Sequence, residues 1–118
     1  MNVANALSAP SAQNAKPTLA SGVQNHVALT ACITEAEPLR FTPAGLPAIA
    51  LRLEHSSRQQ EAGQAREVKA SVKAVAFGPL AEQLAKLPLG SLWQFSGFLG
   101  TPRNGKSVVL HVQDIQQN

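Results

Sequence analysis

Apolar and polar residues alternate one for one along most of this chain, and alternation of period two commits a segment to a strand with one buried face. Between Asn25 and Glu35 the run NHVALTACITE places Val27, Leu29, Ala31 and Ile33 on a common face. Ile49, Leu51 and Leu53 repeat the pattern in a second strand. Val68, Ala70, Val72 and Ala74 make a third, opposite Lys69, Ser71 and Lys73. SLWQFSGFLG aligns Trp93, Phe95, Gly97 and Leu99 in a fourth, and KSVVLHVQDIQQ supplies the fifth. One stretch alone switches to helical spacing. In GPLAEQLAKLPLG, Leu80, Leu84 and Leu87 share a helix face and Pro79 suits the first turn, while Pro88 and Gly90 end the helix, after about three turns.

The connectors are read from turn chemistry. Thr42, Pro43, Ala44 and Gly45 turn the chain between the first two strands, because proline presets one dihedral and glycine accepts positive φ. TPRNGK joins the fourth strand to the fifth, with Asn104 and Gly105 as its turn. The remaining connector, within LEHSSRQQEAGQARE, is expected to be a polar loop from Glu54 to Glu67, longer than the roughly two to five residues a hairpin needs. Three strands, a helix and two strands in 118 residues, without internal repeats, leave room for one domain and one modest core. The order fits an all-β OB-fold: a five-stranded Greek-key barrel with one short helix between strands three and four. A ferredoxin-like arrangement fits less well, since it needs two helices.

Charged residues make up only 14% of the chain, and the net charge is +3, so where the charges fall matters more than their sum. Arg103 and Lys106 lie between Gly100 and Val112 with no acid among them, as an anionic partner would require. The single cysteine, Cys32, cannot close an internal disulfide or build a thiolate-rich zinc site; it reads as a packed small residue in a reducing, cytoplasmic setting. His26, His55 and His111 lack the close spacing of metal ligands, and His55 reads as a hydrogen bonder that anchors its loop. Residues 1–24 have neither the basic start nor the apolar run of a secretory signal, and Pro10 and Pro17 break them. They are expected to be a disordered extension ahead of a domain at 25–118. No window approaches a membrane span. No phosphate-cradling glycine loop, nucleophile elbow or carboxylate pair stands out, so no catalytic residue, metal or cofactor is expected.

Four segments, in order and spacing, carry a family resemblance: TPAGLP (Thr42 to Pro47), LEHSSRQQEAG (Leu53 to Gly63), SGFLG (Ser96 to Gly100) and VLHVQDI (Val109 to Ile115). From Asn25 to Gln116 the chain resembles the primosomal replication protein N, or PriB, family. The resemblance implies a homodimer of OB-folds, similar in fold to bacterial single-stranded DNA-binding protein. It also implies a non-catalytic role in restarting stalled replication forks, in which the protein binds single-stranded DNA and engages the PriA helicase and the loader protein DnaT.

The expected DNA-binding residues are Arg40, Arg58, Arg66, Lys69, Lys73, Phe98, Arg103 and Lys106. The resemblance places Arg58 and Arg66 in a loop that contributes to the DNA surface, although Glu54, Glu61 and Glu67 offset their charge. That loop is therefore read either as a phosphate contact or as a solvated, partner-facing excursion. Lys69 and Lys73 form a basic strip on strand three, or a solvated sheet face. Arg40 matches a basic position in the family, and Arg52 pairs instead with an acid. Trp93 and Phe95 read as core; Phe98, of opposite parity, is free for base stacking or dimer packing. Family members carry aromatics in the long loop and near the start of strand three, where this chain has Gln64 and Lys69. Binding should then be more electrostatic, weaker and steeper in salt. The competing reading is a primosome protein-interaction adaptor with weak DNA binding.

Overall fold

The computed structural model describes residues 22–117, so most of the extension expected over residues 1–24 lies outside the described residues. The elements are β1 (Val27–Ala36), β2 (Arg40–Phe41), β3 (Pro47–Glu61), β4 (Gln64–Phe77), α1 (Pro79–Ala85), β5 (Leu92–Gly100) and β6 (Val109–Gln116). Five long strands close a barrel in the order β1-β5-β6-β4-β3, with β3 returning to β1; the short β2 pairs outside β3. All pairings are antiparallel except β4 with β6, which run parallel at Ala74–Leu110 and Val75–His111. This is the all-β OB-type barrel that the alternation implied.

β1 serves two neighbours. Its first half, Val27 to Cys32, pairs with β5, and its second half, Cys32 to Ala36, pairs with β3. A bulge at Thr34, between Ile33 and Glu35, marks the change; the extra residue bends the strand, as barrel closure demands. Thr34 Oγ1 donates to the Arg52 carbonyl at 3.2 Å and pins the bulge to β3.

The core follows the alternation. Ala31, Ile33, Ile49, Leu51, Leu53, Ala74, Ala76, Phe95, Leu110 and Val112 meet inside, and Ala81 and Leu84 of α1 join them; Val27, Leu29, Val72 and Trp93 pack around this centre. Leu99 departs from its expected place: it is 43% exposed and lines a groove with Ser107 and Val108, where β5 runs out of the core. The helix is shorter than the leucine spacing suggested, seven residues. The amides of Lys86 and Leu87 then bond to the carbonyls of Gln83 and Leu84, a tighter i to i+3 turn that still brings Leu87 against the core.

The expected loop from Glu54 to Glu67 is absent, because β3 and β4 run through it. Their pairing continues without a break from Ala48–Phe77 to Glu61–Gln64. The polar stretch is a two-stranded arm leaving the barrel, closed at Ala62 and Gly63, with φ of 54° and 79°. Two residues at positive φ are the type I′ geometry that suits the right-handed twist of a hairpin. Sequence pattern signalled a loop because an arm outside the barrel has no core to face; its ladder satisfies the backbone without burying side chains. Ala62 holds a conformation that a β-carbon disfavours by roughly 1–2 kcal/mol. Ala62→Asn, which supplies the Asn-Gly pair preferred at such turns, is expected to slow amide exchange at the arm tip about threefold to tenfold. Hydrogen-exchange NMR would measure this.

His55 fixes the base of the arm, as an anchor rather than as part of a loop. Its Nδ1 lies 2.7 Å from the Thr30 carbonyl oxygen and its Nε2 2.8 Å from Ser57 Oγ. A carbonyl can only accept, so Nδ1 carries the proton and a neutral ring accepts from the Ser57 hydroxyl at Nε2. Gln59 Nε2 donates to the same hydroxyl at 2.9 Å. Each such bond contributes about 1 kcal/mol, so His55→Ala should speed exchange of the arm amides while the barrel's melting temperature moves little.

Candidate nucleic-acid interface

Register sorts the cations onto faces. In the paired strands Arg52 opposes Lys73, Glu54 opposes Ser71, Ser56 opposes Lys69 and Arg58 opposes Glu67. These are alternate positions, so all their side chains leave the same side of the sheet. Arg52, Arg58, Lys69 and Lys73 therefore share the outer face of arm and barrel, turned away from Leu53 and Val72. Arg66 does not join them. It opposes Gln59 on the other face and donates to Glu61 at 2.6 Å, so it is separated from the group by strand parity and already paired.

Arg52 is held by acids, as its sequence surroundings suggested. Its Nε lies 3.8 Å from Glu35 Oε1, and its Nη1 donates to Ser71 Oγ at 2.9 Å. Ser71 Oγ in turn donates to Glu54 Oε2 at 2.9 Å. This relay orients the guanidinium along the sheet beside Lys73. Arg52 and Lys73 line two grooves together. One, of about 200 Å³, also involves Glu35, Glu37 and Val109. The other, of about 440 Å³, is walled by Ser71, Leu99, Ser107 and Val108.

The second groove connects the sheet to the β5–β6 loop. Pro102 accepts the Gly105 amide at 3.0 Å, so the turn spans Pro102 to Gly105 with Arg103 and Asn104 at its centre, one residue earlier than the expected Asn104–Gly105 turn. Glycine at its fourth position suits a turn in that register. Arg103 and Lys106 are both exposed, and Lys106 precedes the groove-lining Ser107. At the other end of the sheet Arg40, exposed on β2, opposes Ala48, which opposes Phe77. The turn that delivers it is the expected one: Gly45 N donates to the Thr42 carbonyl and Thr42 N to the Leu46 carbonyl, each at 2.8 Å. Among the described residues Arg40, Arg58, Lys69, Lys73, Arg103 and Lys106 make no ion pair.

Phe98 is half-buried on the outer side of β5 and stacks on His111, ring centres 4.8 Å apart and planes 10° from parallel. His111 stacks in turn on Phe77 at 6.1 Å and 26°. Sequence reasoning did not connect His111 and Phe77 to this site. A signal for Phe77 was present: it continues the outward series Lys69, Ser71, Lys73 and Val75 along β4. His111 had none, because its neighbours come from the β4–β6 and β5–β6 registers.

Among the described residues no three histidine, cysteine or acidic side chains gather as a metal site, and no helix is long and apolar enough to cross a membrane. The geometry offers cations on one open face, bordered by a cationic loop and a stack of rings, and this can hold an extended polyanion.

Known proteins carry the same architecture. A family model described as another single-strand binding protein family matches residues 25–114. Replication restart protein PriB of Bordetella pertussis is 44% identical over 94 residues, covering 79% of this chain and 88% of the relative. The solved structure of PriB from Ralstonia solanacearum superposes with a TM-score of 0.74 at 33% identity, covering 80% of this chain and 97% of that one. The single-stranded DNA-binding protein from Thermus aquaticus follows at a TM-score of 0.64 and 27% identity, over 79% of this chain and 49% of that protein. Sequence and barrel together make this chain a member of the PriB family of replication restart proteins.

Proposed function

We propose that this chain binds single-stranded DNA along the outer face of β3 and β4 and the β5–β6 loop, as a non-catalytic, cytoplasmic accessory of replication restart. It acts as a homodimer that presents the strand to the PriA helicase and to DnaT. The observation that carries the reading is the alignment of Arg52, Arg58, Lys69 and Lys73 on one face of the sheet, with Arg103 and Lys106 on the loop beside its groove. Likeness to the PriB relatives supports the same assignment.

Contact with about five phosphates gives a log–log salt slope near −3.5, taking roughly −0.7 for each on a single strand. Fluorescence anisotropy with labelled oligothymidine across a salt series tests it; a flat response would overturn the reading. Light scattering at micromolar concentration should return twice the chain mass.

One observation favours a second reading, an adaptor that contacts primosome proteins and touches DNA weakly: the arm carries Gln64 and Lys69 in place of stacking rings, and its Arg66 is engaged by Glu61. In that case PriA would be retained in a pull-down without DNA, and charge reversal at Arg103 and Lys106 would leave DNA affinity unchanged.

A further inference from the structure

Phe77, His111 and Phe98 stand on three adjacent strands with His111 in the middle, so their rings form a short column across the outside of the barrel. None belongs to the core: their neighbours in sequence, Ala76, Leu110 and Val112, point inward instead. Phe77 is an end of the column and is 41% exposed. Gly100 leaves room for the central ring, since a β-carbon there would lie 3.1 Å from His111 Nε2.

We infer that this column is a stacking surface for nucleobases of single-stranded DNA, an inference that rests on the proposed function and adds the site where bases are held. Charge around the column selects this occupant. Lys73 lies on the same side of β4 four residues before Phe77, about 13 Å along the strand. Arg40 lies beyond Ala48 in the same cross-strand row as Phe77. Neither cation has an ion-pair partner among the described residues. Phe77 stands at the corner between Lys73, on its own strand, and Arg40, two strands across, so a DNA strand that follows β4 from Lys73 before turning toward Arg40 brings its bases over the ring. Phosphate contacts alone give exposed aromatic rings no part to play; bases do, because every base has a face that stacks. The stacking that the arm lacks at Gln64 and Lys69 is thereby moved onto the barrel wall.

The test compares two labelled strands of equal length, oligothymidine and an abasic deoxyribose-phosphate chain, bound to the full protein and to Phe77→Ala and Phe77→Leu. The wild-type protein should prefer thymidine by about tenfold for a single stacked base, and both variants should bring that ratio close to one. Phe77→Leu keeps apolar bulk without a ring, and circular dichroism identifies which variants are folded. Equal binding of both strands by the wild type overturns the inference alone, and failure to bind either removes the proposed function as well. A preference that survives in a folded Phe77→Leu protein also overturns it, as does a variant that loses dimer mass while keeping the preference, since the column would then join two copies.

Discussion

Gly97→Ala is expected to cost about 3 kcal/mol or more, enough to leave the barrel unfolded or melting many degrees lower by circular dichroism. A β-carbon at this position would sit 1.8 Å from the His111 carbonyl oxygen and 2.9 Å from its carbonyl carbon. Both are backbone atoms of the neighbouring strand and cannot turn aside. The crowding comes from a bulge: Ser96 pairs with Asp114 but Gly97 with Val112, so Gln113 is the extra residue on β6. A bulge kinks and twists its strand locally, and here it brings the β6 backbone against Gly97. Gly100→Ala is the internal control. Its new methyl would meet only the His111 ring, at 3.1 and 3.2 Å, which can shift, so the cost should stay below about 1 kcal/mol. Equal losses in the two variants would show that the bulge does not set the barrier.

Reversing Lys69 and Lys73 together to glutamate should weaken oligothymidine binding on the order of fiftyfold at 50 mM salt. Every phosphate left without its cation takes about 0.7 off the salt slope. Extrapolated to 1 M, where the ionic contribution vanishes, this amounts to roughly eightfold per phosphate at the lower salt. The slope itself should fall by about 1.4, and that change separates the removal of ionic partners from general damage. Arg66→Glu is the comparison. Arg66 lies on the opposite face and is paired with Glu61 at 2.6 Å, so its reversal should change affinity less than about threefold. If the double reversal and Arg66→Glu weaken binding equally, DNA does not follow one face of the arm.

The barrel was legible in the chain because burial writes a period of two. Val27 to Ile33, Ile49 to Leu53 and the Val72–Ala74 end of the third run all turned inward as their spacing implied. The arm was not legible, although the pairing is as regular there as in the barrel. From Glu54 outward there is no interior to discriminate one side chain from the next, so a paired strand and a loop look alike in sequence. Ala62 hid the turn further, since alanine at positive φ is not a turn signal. The cationic face was half legible. Parity along β4 placed Lys69 with Lys73, but Arg58 and Arg66 have assignable faces only because β3 and β4 continue as paired strands out to Glu61 and Gln64, through what read as a loop. The ring column was beyond reach for the same reason at longer range. Its middle member reaches Phe77 through a parallel pairing of two residues.

The arm also carries a liability of its own. Beyond the barrel, β3 and β4 pair only with each other among the described residues, so both flanks present unpaired amides and carbonyls, the template on which sheets of separate molecules grow. What stands against such growth is the salting of those flanks with Arg58, Glu61, Arg66, Glu67 and Lys69, which clash when copies line up in register. A chain with these five side chains made neutral would therefore be prone to fibre formation in concentrated solution, even with its interior intact.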